Sequence, residues 1–312
     1  MTDEAYPLAR GDIRVRDPFI VADAEAGLYR LYAQSGNRAG SDFLGVEAYS
    51  SPDLERWREP EPVLDLSSEP DLHMVWAPEV HRWRGRWCLF TTLTFHEPLH
   101  EEPPVDSPDW PGLRRRGTHV FVADDLLGPF EAVSEESLTP PEWMALDGTL
   151  HVEDGAPWMV FCHEWVQVVD GRMDAVQLTP DLSDTVGEPM VLFHASDAPG
   201  VAREEGRPLV TDAPFMHRTE AGELLMLWST DIPGEHYSVV TARSESGGIA
   251  GPWTDQRLLV GNDGGHAMLF RTFEDELLLA LHQPNADGRE RLRLFAVRDH
   301  GDHLSAGEIK NV

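Results

Sequence analysis

The sequence predicts an all-β protein, and three observations lead to that class. No long segment carries apolar residues at the 3.6-residue spacing of an amphipathic helix. Short runs rich in aromatic and β-branched residues recur instead, and Gly, Pro and Asp separate them. Pairs of such runs occur five times along the 312 residues. A repeating unit of about four strands is typical of a propeller, so we expect a five-bladed β-propeller.

Each repeat begins with a short strand, which a turn connects to a second and more apolar strand. The predicted second strands are Leu28–Ala33, Arg86–Thr92, Ala156–His163, Leu224–Ser229 and Glu276–Leu281. We predict one domain over residues 1–312, with blades that start near residues 16, 76, 146, 211 and 265. The residues that lead the five repeats are Asp17, Ala77, Asp147, Asp212 and His266. The intervals between them leave room for two outer strands in each blade.

Composition and charge narrow the choice of partners. The formal net charge is −30, from 55 acidic and 25 basic residues, and such a surface repels nucleic acids and anionic membranes. A small neutral carbohydrate approaches it without penalty, and an oligomer is compatible with the sequence. Cys88 and Cys162 lie in apolar runs and are expected to be buried free thiols. With no signal-peptide pattern, we expect a cytoplasmic location.

The propeller topology predicts where side chains converge. The first strand of each blade starts at one mouth of the central channel, and the second strand ends at the same mouth. The strand starts contribute Asp17, Trp76, Glu79, Asp147, Asp212 and His266. The strand ends contribute Gln34, Ser35, Thr92, His163, Glu164, Trp165, Ser229, Gln283 and Asn285. Several carboxylates in one pocket are costly unless they are paired, bound to a cation or used, so we favour a functional role for Asp17 and Asp147.

Four motifs, in this order and spacing, resemble those of glycoside hydrolase family 43. They are Arg-Asp-Pro at 16–18, Trp-Ala-Pro-Glu at 76–79, Leu-Asp-Gly at 146–148 and Gly-Gly-His at 264–266. The resemblance implies a five-bladed propeller that hydrolyses arabinosides or xylosides with inversion. It assigns the catalytic base to Asp17 and the residue that tunes pKa and orients substrate to Asp147. It also places His266 near the axis, where a calcium or other ion is often bound.

The sequence departs from the family pattern at the general acid. The family reads Glu-Gly-Pro in blade four, where this chain has Thr-Asp-Ala-Pro at 211–214. Either Asp212 is the acid, or Glu164 at the end of a blade-three strand replaces it. We further predict that Trp76 and Trp165 stack on sugar rings. The other predicted substrate contacts are Glu79, His163 and Gln283.

The leading hypothesis is therefore an exo-acting, inverting glycosidase that releases arabinofuranosyl or xylosyl residues from oligosaccharides. The segment from His96 to Arg116 has no strand pattern, and a loop there over the pocket would favour exo action. A non-catalytic carbohydrate-binding propeller is the alternative, because the blade-four Glu is absent. An interaction scaffold is disfavoured, since a scaffold does not need carboxylates crowded at its axis.

Overall fold

A computed structural model describes residues 5–37, 43–99, 112–203, 207–286 and 288–308. These residues form five four-stranded antiparallel sheets arranged as a propeller, so the predicted all-β fold is confirmed. A separate pair joins β1 (Leu8–Ala9) to β5 (Arg56–Trp57). The described helices are α1 (Trp165–Val168) and three 3₁₀ turns at Arg10–Asp12, Ser35–Asn37 and Ala195–Asp197. None of these helices is long and apolar enough to cross a membrane.

The strands of each blade follow one another along the chain. Blade one contains β2 (Phe19–Asp23), β3 (Leu28–Gln34), β4 (Gly45–Ser51) and β6 (Glu61–Asp65). Blade two contains β7 (Leu72–Trp83), β8 (Arg86–Pro98), β9 (Arg114–Ala123) and β10 (Glu131–Ala132). Blade three contains β11 (Ala145–Glu153), β12 (Ala156–His163), β13 (Arg172–Leu178) and β14 (Thr185–His194). Blade four contains β15 (Asp212–Arg218), β16 (Leu224–Ile232), β17 (His236–Ser244) and β18 (Trp253–Val260). Blade five contains β19 (Gly265–Arg271), β20 (Leu277–Gln283), β21 (Arg291–Asp299) and β22 (Leu304–Glu308).

The hydrophobic core lies between the blades rather than at the axis. One cluster joins blades three and four around Trp228, and another joins blades two and three around Phe161. Neighbouring blades cover both faces of the second strands, so the central part of each second strand is a nearly continuous apolar run. In β16, for example, all residues from Leu224 to Thr230 are buried. This arrangement explains why the second strands gave the strongest sequence signal.

The prediction that the chain lacks strand structure from His96 to Arg116 was wrong at both ends. Strand β8 continues to Pro98 and β9 begins at Arg114, and the Leu99 amide donates to the Leu113 carbonyl at 3.0 Å. Strand pairing therefore satisfies the backbone of both stems. The rest of the predicted loop, residues 100–111, lies outside the described residues.

Each blade places one residue with positive φ at the start of its inner strand. These residues, with φ from 48° to 58°, are Asp17, Ala77, Asp147, Ala213 and His266. In blades two to five the strand register shifts directly after this residue. The sequence comparison placed Asp212 at this position, and that alignment was wrong by one residue. Asp212 pairs with Ser229, as Leu146 pairs with Cys162, so Ala213 is the true equivalent of Asp147.

The amide of each positive-φ residue is satisfied by a side chain. Four acceptors come from the second strand of the preceding blade: Gln34 for Ala77 (3.3 Å), Thr92 for Asp147 (2.8 Å), Ser229 for His266 (2.9 Å) and His282 for Asp17 (3.2 Å). Blade three provides Cys162 at that place, and the Ala213 amide donates to the Asp147 carboxylate instead, at 3.1 Å. The scaffold thus holds Asp147 by a backbone contact that no other blade has.

Blade five meets blade one without sharing a strand with it. Arg14 contacts Glu290 at 3.3 Å, and Arg291 donates to the Gly11 carbonyl at 3.0 Å. The Asp17 amide donates to His282 across the same seam. Contacts of side chains with blade five therefore close the ring, and some of them lie beside the central channel.

Candidate active site

A cavity of about 840 Å³ opens at the mouth of the channel. This volume is in the range of small-molecule sites in proteins. Ten residues were predicted to act in catalysis, in substrate binding or in holding an ion. Seven of them line this cavity, namely Asp17, Trp76, Asp147, Glu164, Trp165, Asp212 and His266. The structure therefore brings together the predicted strand starts and strand ends at one mouth.

Asp17 is a buried carboxylate that lies beside two histidines and accepts a hydrogen bond from one of them, His266. His266 Nδ1 lies 3.0 Å from Asp17 Oδ1, and His282 Nδ1 lies 3.4 Å from the same oxygen. Burial alone would favour the neutral acid, but the charge and hydrogen bond of His266 and the nearby Arg16 hold the pKa of Asp17 well below its ordinary value. Asp17 is consequently ionised over the whole physiological range.

His266 is the cation at the centre of the cluster. Burial disfavours its charged form, but Asp17 and Asp147 outweigh that penalty and raise the pKa of His266 to about 9. Its Nδ1–H donates to Asp17 Oδ1, and Asp147 Oδ2 lies 3.8 Å from the same nitrogen. A single imidazolium therefore faces the two carboxylates that lead blades one and three.

His282 takes the neutral form beside this cation. Burial lowers the pKa of His282 to about 4, and its Nδ1 accepts the hydrogen bond from the Asp17 amide. The proton must then sit on Nε2, which lies 3.3 Å from Asn285 Oδ1. The tautomer of His282 is thus fixed by the fold, and it fixes the backbone of Asp17 in turn.

Asp147 and Asp212 form a second pair in which protons are retained. Burial, together with the charges of Asp212 and Asp17, raises the pKa of Asp147 to about 8, although His266 opposes this change. Burial and the charge of Glu164 raise the pKa of Asp212 to about 6, although His266 and a hydrogen bond from Tyr237 oppose it. The pair therefore keeps a proton near neutral pH, while Asp17 has none.

Glu164 lies in the pocket wall in direct contact with an arginine. Its Oε2 accepts from Arg116, and the two side chains are only 4% and 1% exposed. Burial raises the pKa of Glu164, and the Arg116 guanidinium works against that rise. Arg116 also donates to Thr94 Oγ1 at 2.8 Å, so its orientation is set from two sides.

The two predicted stacking residues differ in their surroundings. The Arg116 guanidinium lies over the Trp76 ring, 4.5 Å from its centroid, in a cation–π contact. Trp165 opens α1 and packs partly against a small cluster of Leu113, Met144 and Val166. Both rings line the cavity, so both positions are compatible with sugar stacking.

Three predicted substrate contacts do not line the cavity. Glu79 follows the register shift in β7 and contacts His81 Nε2 at 2.9 Å. His163 stacks on Trp143 with ring centroids 4.2 Å apart. Gln283 donates to the Asn262 carbonyl at 2.7 Å. Each of these side chains has a structural partner, and a role for them in substrate binding stays a prediction.

The structure adds two polar residues that the sequence did not indicate, Tyr237 and Arg116. Tyr237 lies on β17 and donates to Asp212 Oδ2 at 3.1 Å, while Arg116 lies on β9. Both come from third strands, whereas the search considered only first-strand starts and second-strand ends. Both third strands carry several other polar residues, so the sequence held no clear signal for either side chain.

An ion at His266 is not supported by the donor set of the cluster. Within the described ranges, no group of three or more His, Cys, Asp or Glu side chains is placed to hold a metal ion. His266 Nδ1 carries a proton toward Asp17, so an ion would have to bind its Nε2. We therefore assign no step to an ion, and calcium at this position stays a prediction.

The fold and the pocket together define a class: a five-bladed β-propeller whose axial cavity holds carboxylates with opposed protonation states, as glycosidases require. The family model for glycosyl hydrolases family 43 matches residues 7–296. The chain therefore belongs to that family, as the resemblance of its motifs predicted. A comparison with curated protein sequences gave no match.

Solved structures with the same fold include enzymes that act on arabinose-containing glycans. An endo-arabinase from Bacteroides thetaiotaomicron VPI-5482 is 33% identical, covers 98% of each chain and has a TM-score of 0.79. An exo-1,5-α-L-arabinanase from a bovine ruminal metagenomic library is 17% identical, with coverage of 95% and 97% and a TM-score of 0.65. An α-L-arabinofuranosidase from Lactobacillus brevis is 16% identical, with coverage of 96% and 95% and a TM-score of 0.68. At these low identities, the exo-arabinanase and the arabinofuranosidase are similar to this chain in fold alone.

Proposed function

We propose that this family 43 protein is an inverting glycosidase that cleaves arabinofuranosyl linkages, with xylosyl linkages as the second candidate. The similarity to an endo-arabinase at 33% identity supports the choice of sugar. The structures named as an exo-arabinanase and an arabinofuranosidase support the fold for either mode of attack. Exo action, predicted from the sequence, remains part of the proposal.

The observation that carries the proposal is the contrast between Asp17 and Asp212 in one cavity. Asp17 is ionised by its contact with protonated His266, as a base must be. Asp212 has its pKa raised to about 6, so about one-tenth of it carries a proton at pH 7 and about half of it at pH 6. Two carboxyl groups whose environments drive their pKa values apart are the signature of an acid and a base.

In the proposed reaction, Asp17 removes a proton from a water molecule whose oxygen bonds to the anomeric carbon. The bond from that carbon to the leaving oxygen breaks, and Asp212 gives its proton to this oxygen. Asp147, whose pKa is raised by burial and by the charge of Asp212, accepts a hydrogen bond from the Ala213 amide directly beside Asp212, and its proposed role is to orient the substrate. Exchange with solvent returns both protons to their starting positions.

Asp212 is the better candidate for the acid than Glu164. Glu164 is in direct contact with Arg116, and an arginine does not give up its charge in a protein. The Arg116 guanidinium favours the ionised form of Glu164 and so works against the protonated form that a general acid needs. Asp212 has a neutral hydroxyl as its partner, so its proton can leave without breaking an ion pair.

The test is hydrolysis of 4-nitrophenyl α-L-arabinofuranoside, 4-nitrophenyl β-D-xylopyranoside and linear arabino-oligosaccharides by single Asp→Asn variants. We expect D17N, D147N and D212N each to lose at least about 100-fold in kcat, the lower range for acid–base groups. D124N is the matched control, because Asp124 is exposed and pairs with Arg86 on the surface.

Two further measurements separate the remaining alternatives. Loss of the acid harms substrates with poor leaving groups most, so D212N but not E164Q should retain activity selectively on 2,4-dinitrophenyl glycosides. Exo action should release arabinose and shorten the reducing-end-labelled oligosaccharide by one residue at a time, whereas early release of unlabelled di- or trisaccharides would contradict it. Glycan binding by the wild type without any product would establish the non-catalytic propeller instead.

A further inference from the structure

Tyr237 reaches the acidic cluster from an unusual place, the third strand of blade four. It is only 3% exposed, and it is one of the residues that line the cavity. Its hydroxyl donates to Asp212 Oδ2 at 3.1 Å. The proposed acid therefore has one oxygen engaged by a neutral donor.

The ring of Tyr237 is held from two sides. A Cβ atom on Gly265 would overlap Cε1 of the tyrosine, so the absence of a side chain at position 265 admits the ring. On another side the ring stacks on His282, with centroids 5.7 Å apart and planes at 18°. The direction of the hydroxyl is consequently fixed by packing as well as by its hydrogen bond.

The hydroxyl acts as a donor under all ordinary conditions. Burial and the charges of Asp212 and Asp17 raise the pKa of Tyr237 well above its usual value, so the phenol keeps its proton. A phenol that donates to Oδ2 occupies a lone pair of that oxygen. The acidic proton of Asp212 then favours Oδ1.

We propose that Tyr237 is a positioning residue that directs the acidic proton of Asp212 to Oδ1, the oxygen that faces the leaving group. This inference rests on the proposed role of Asp212 as the general acid. It adds a residue that orients the acid without touching the reacting atoms.

The same stack also supports the proposed base. His282, against which Tyr237 packs, accepts the hydrogen bond from the Asp17 amide. Asp212, Tyr237, His282 and Asp17 thus form one continuous line of contacts across the channel. A shift of the tyrosine ring would therefore change the positions of both the proposed acid and the proposed base.

The test compares Y237F with the wild type on 2,4-dinitrophenyl and 4-nitrophenyl arabinofuranosides and on arabinobiose. We expect kcat to fall by about tenfold on arabinobiose, a part of the full acid contribution, and to change by less than about twofold on the dinitrophenyl substrate. The hydrogen bond from Tyr237 favours ionised Asp212, so its removal raises the pKa of Asp212. The basic limb of the pH–rate profile should therefore move to higher pH.

Tyr32→Phe is the matched control. Tyr32 is fully buried in blade one and donates to the Leu126 carbonyl at 2.7 Å, so it also loses one buried hydrogen bond. It should lower the melting temperature without any dependence on leaving group. An equal loss on all substrates for Y237F, or an unmoved basic limb, would overturn the inference. If Y237F failed in this way while D212N retained its leaving-group dependence, Asp212 would still be the acid.

Discussion

Replacing Asp147 with Asn should abolish a large part of the pH dependence of the free energy of unfolding that arises from the candidate active site. Asp147 is fully buried, and its surroundings raise its pKa to about 8. In the unfolded chain the pKa returns to about 4. The folded protein therefore holds a proton between these values that the unfolded chain has released. Stability from this group is present below about pH 4 and is lost as the pH rises through about 8.

The magnitude follows from one proton. A difference of one bound proton changes the free energy of unfolding by about 1.4 kcal/mol per pH unit. Between about pH 5 and pH 7 the titration of Asp147 should lower the free energy of unfolding of the wild type by about 3 kcal/mol. Asn resembles the protonated carboxyl group in shape and charge, so the rest of the cluster should titrate as before. The free energy of unfolding of D147N should thus rise by about 3 kcal/mol relative to that of the wild type between about pH 5 and pH 7.

The assay is urea unfolding at about pH 5, 6 and 7, followed by the fluorescence of the 10 tryptophans. D124N is again the control, because Asp124 is exposed and should give a curve parallel to that of the wild type. Parallel curves for D147N and the wild type would refute the reasoning. They would mean that Asp147 is ionised in the folded protein, and that His266 balances both carboxylates.

Two further predictions concern buried groups. Glu164→Ala should destabilise the protein by about 3–5 kcal/mol in urea unfolding, since it leaves Arg116 buried without its partner. The double variant R116M/E164L removes both charges and should recover most of this stability. A double variant as unstable as Glu164→Ala would contradict the explanation. Burial raises the pKa of Cys88 to about 11 and that of Cys162 well above its ordinary value. Ellman's reagent should therefore react with neither thiol until the chain unfolds, and rapid labelling of the native protein would be inconsistent with this packing.

The sequence predicts the fold well because second strands are covered on both faces. Their apolar runs recur once per blade, and this repeat is visible without any tertiary information. Asp17 and Asp147 were found for the same reason, since each precedes such a pair of strands. The family resemblance then supplied roles that the repeat alone does not contain.

Local register was harder to predict. Asp212 was aligned with Asp147 by residue type, but the backbone places Ala213 at that position. At that position the Ala213 amide donates to Asp147, a contact between blades that no single repeat encodes. The same limit explains Glu79, whose side chain leaves the cavity because the β7 register changes after Trp76.

The prediction from topology considered only first-strand starts and second-strand ends, so it could not identify third-strand residues. The distance from β17 to the axis is bridged by the length of the Tyr237 side chain, and it requires a glycine at position 265. Arg116 spans a similar gap from β9 to Glu164. Long side chains relax the rule that only inner strands supply a propeller site.

The seam between blades one and five has a consequence for the order in which activity arises. Asp17 comes from the first blade in the chain, and His282 and Glu290, which hold it and its neighbours, come from the last. Because a ribosome makes blade five after the other four blades, the proposed base can take its working position only after blade five has emerged. Ring closure and the appearance of turnover should therefore coincide during synthesis, and a nascent chain stalled before residue 282 should fold in part without hydrolysing substrate.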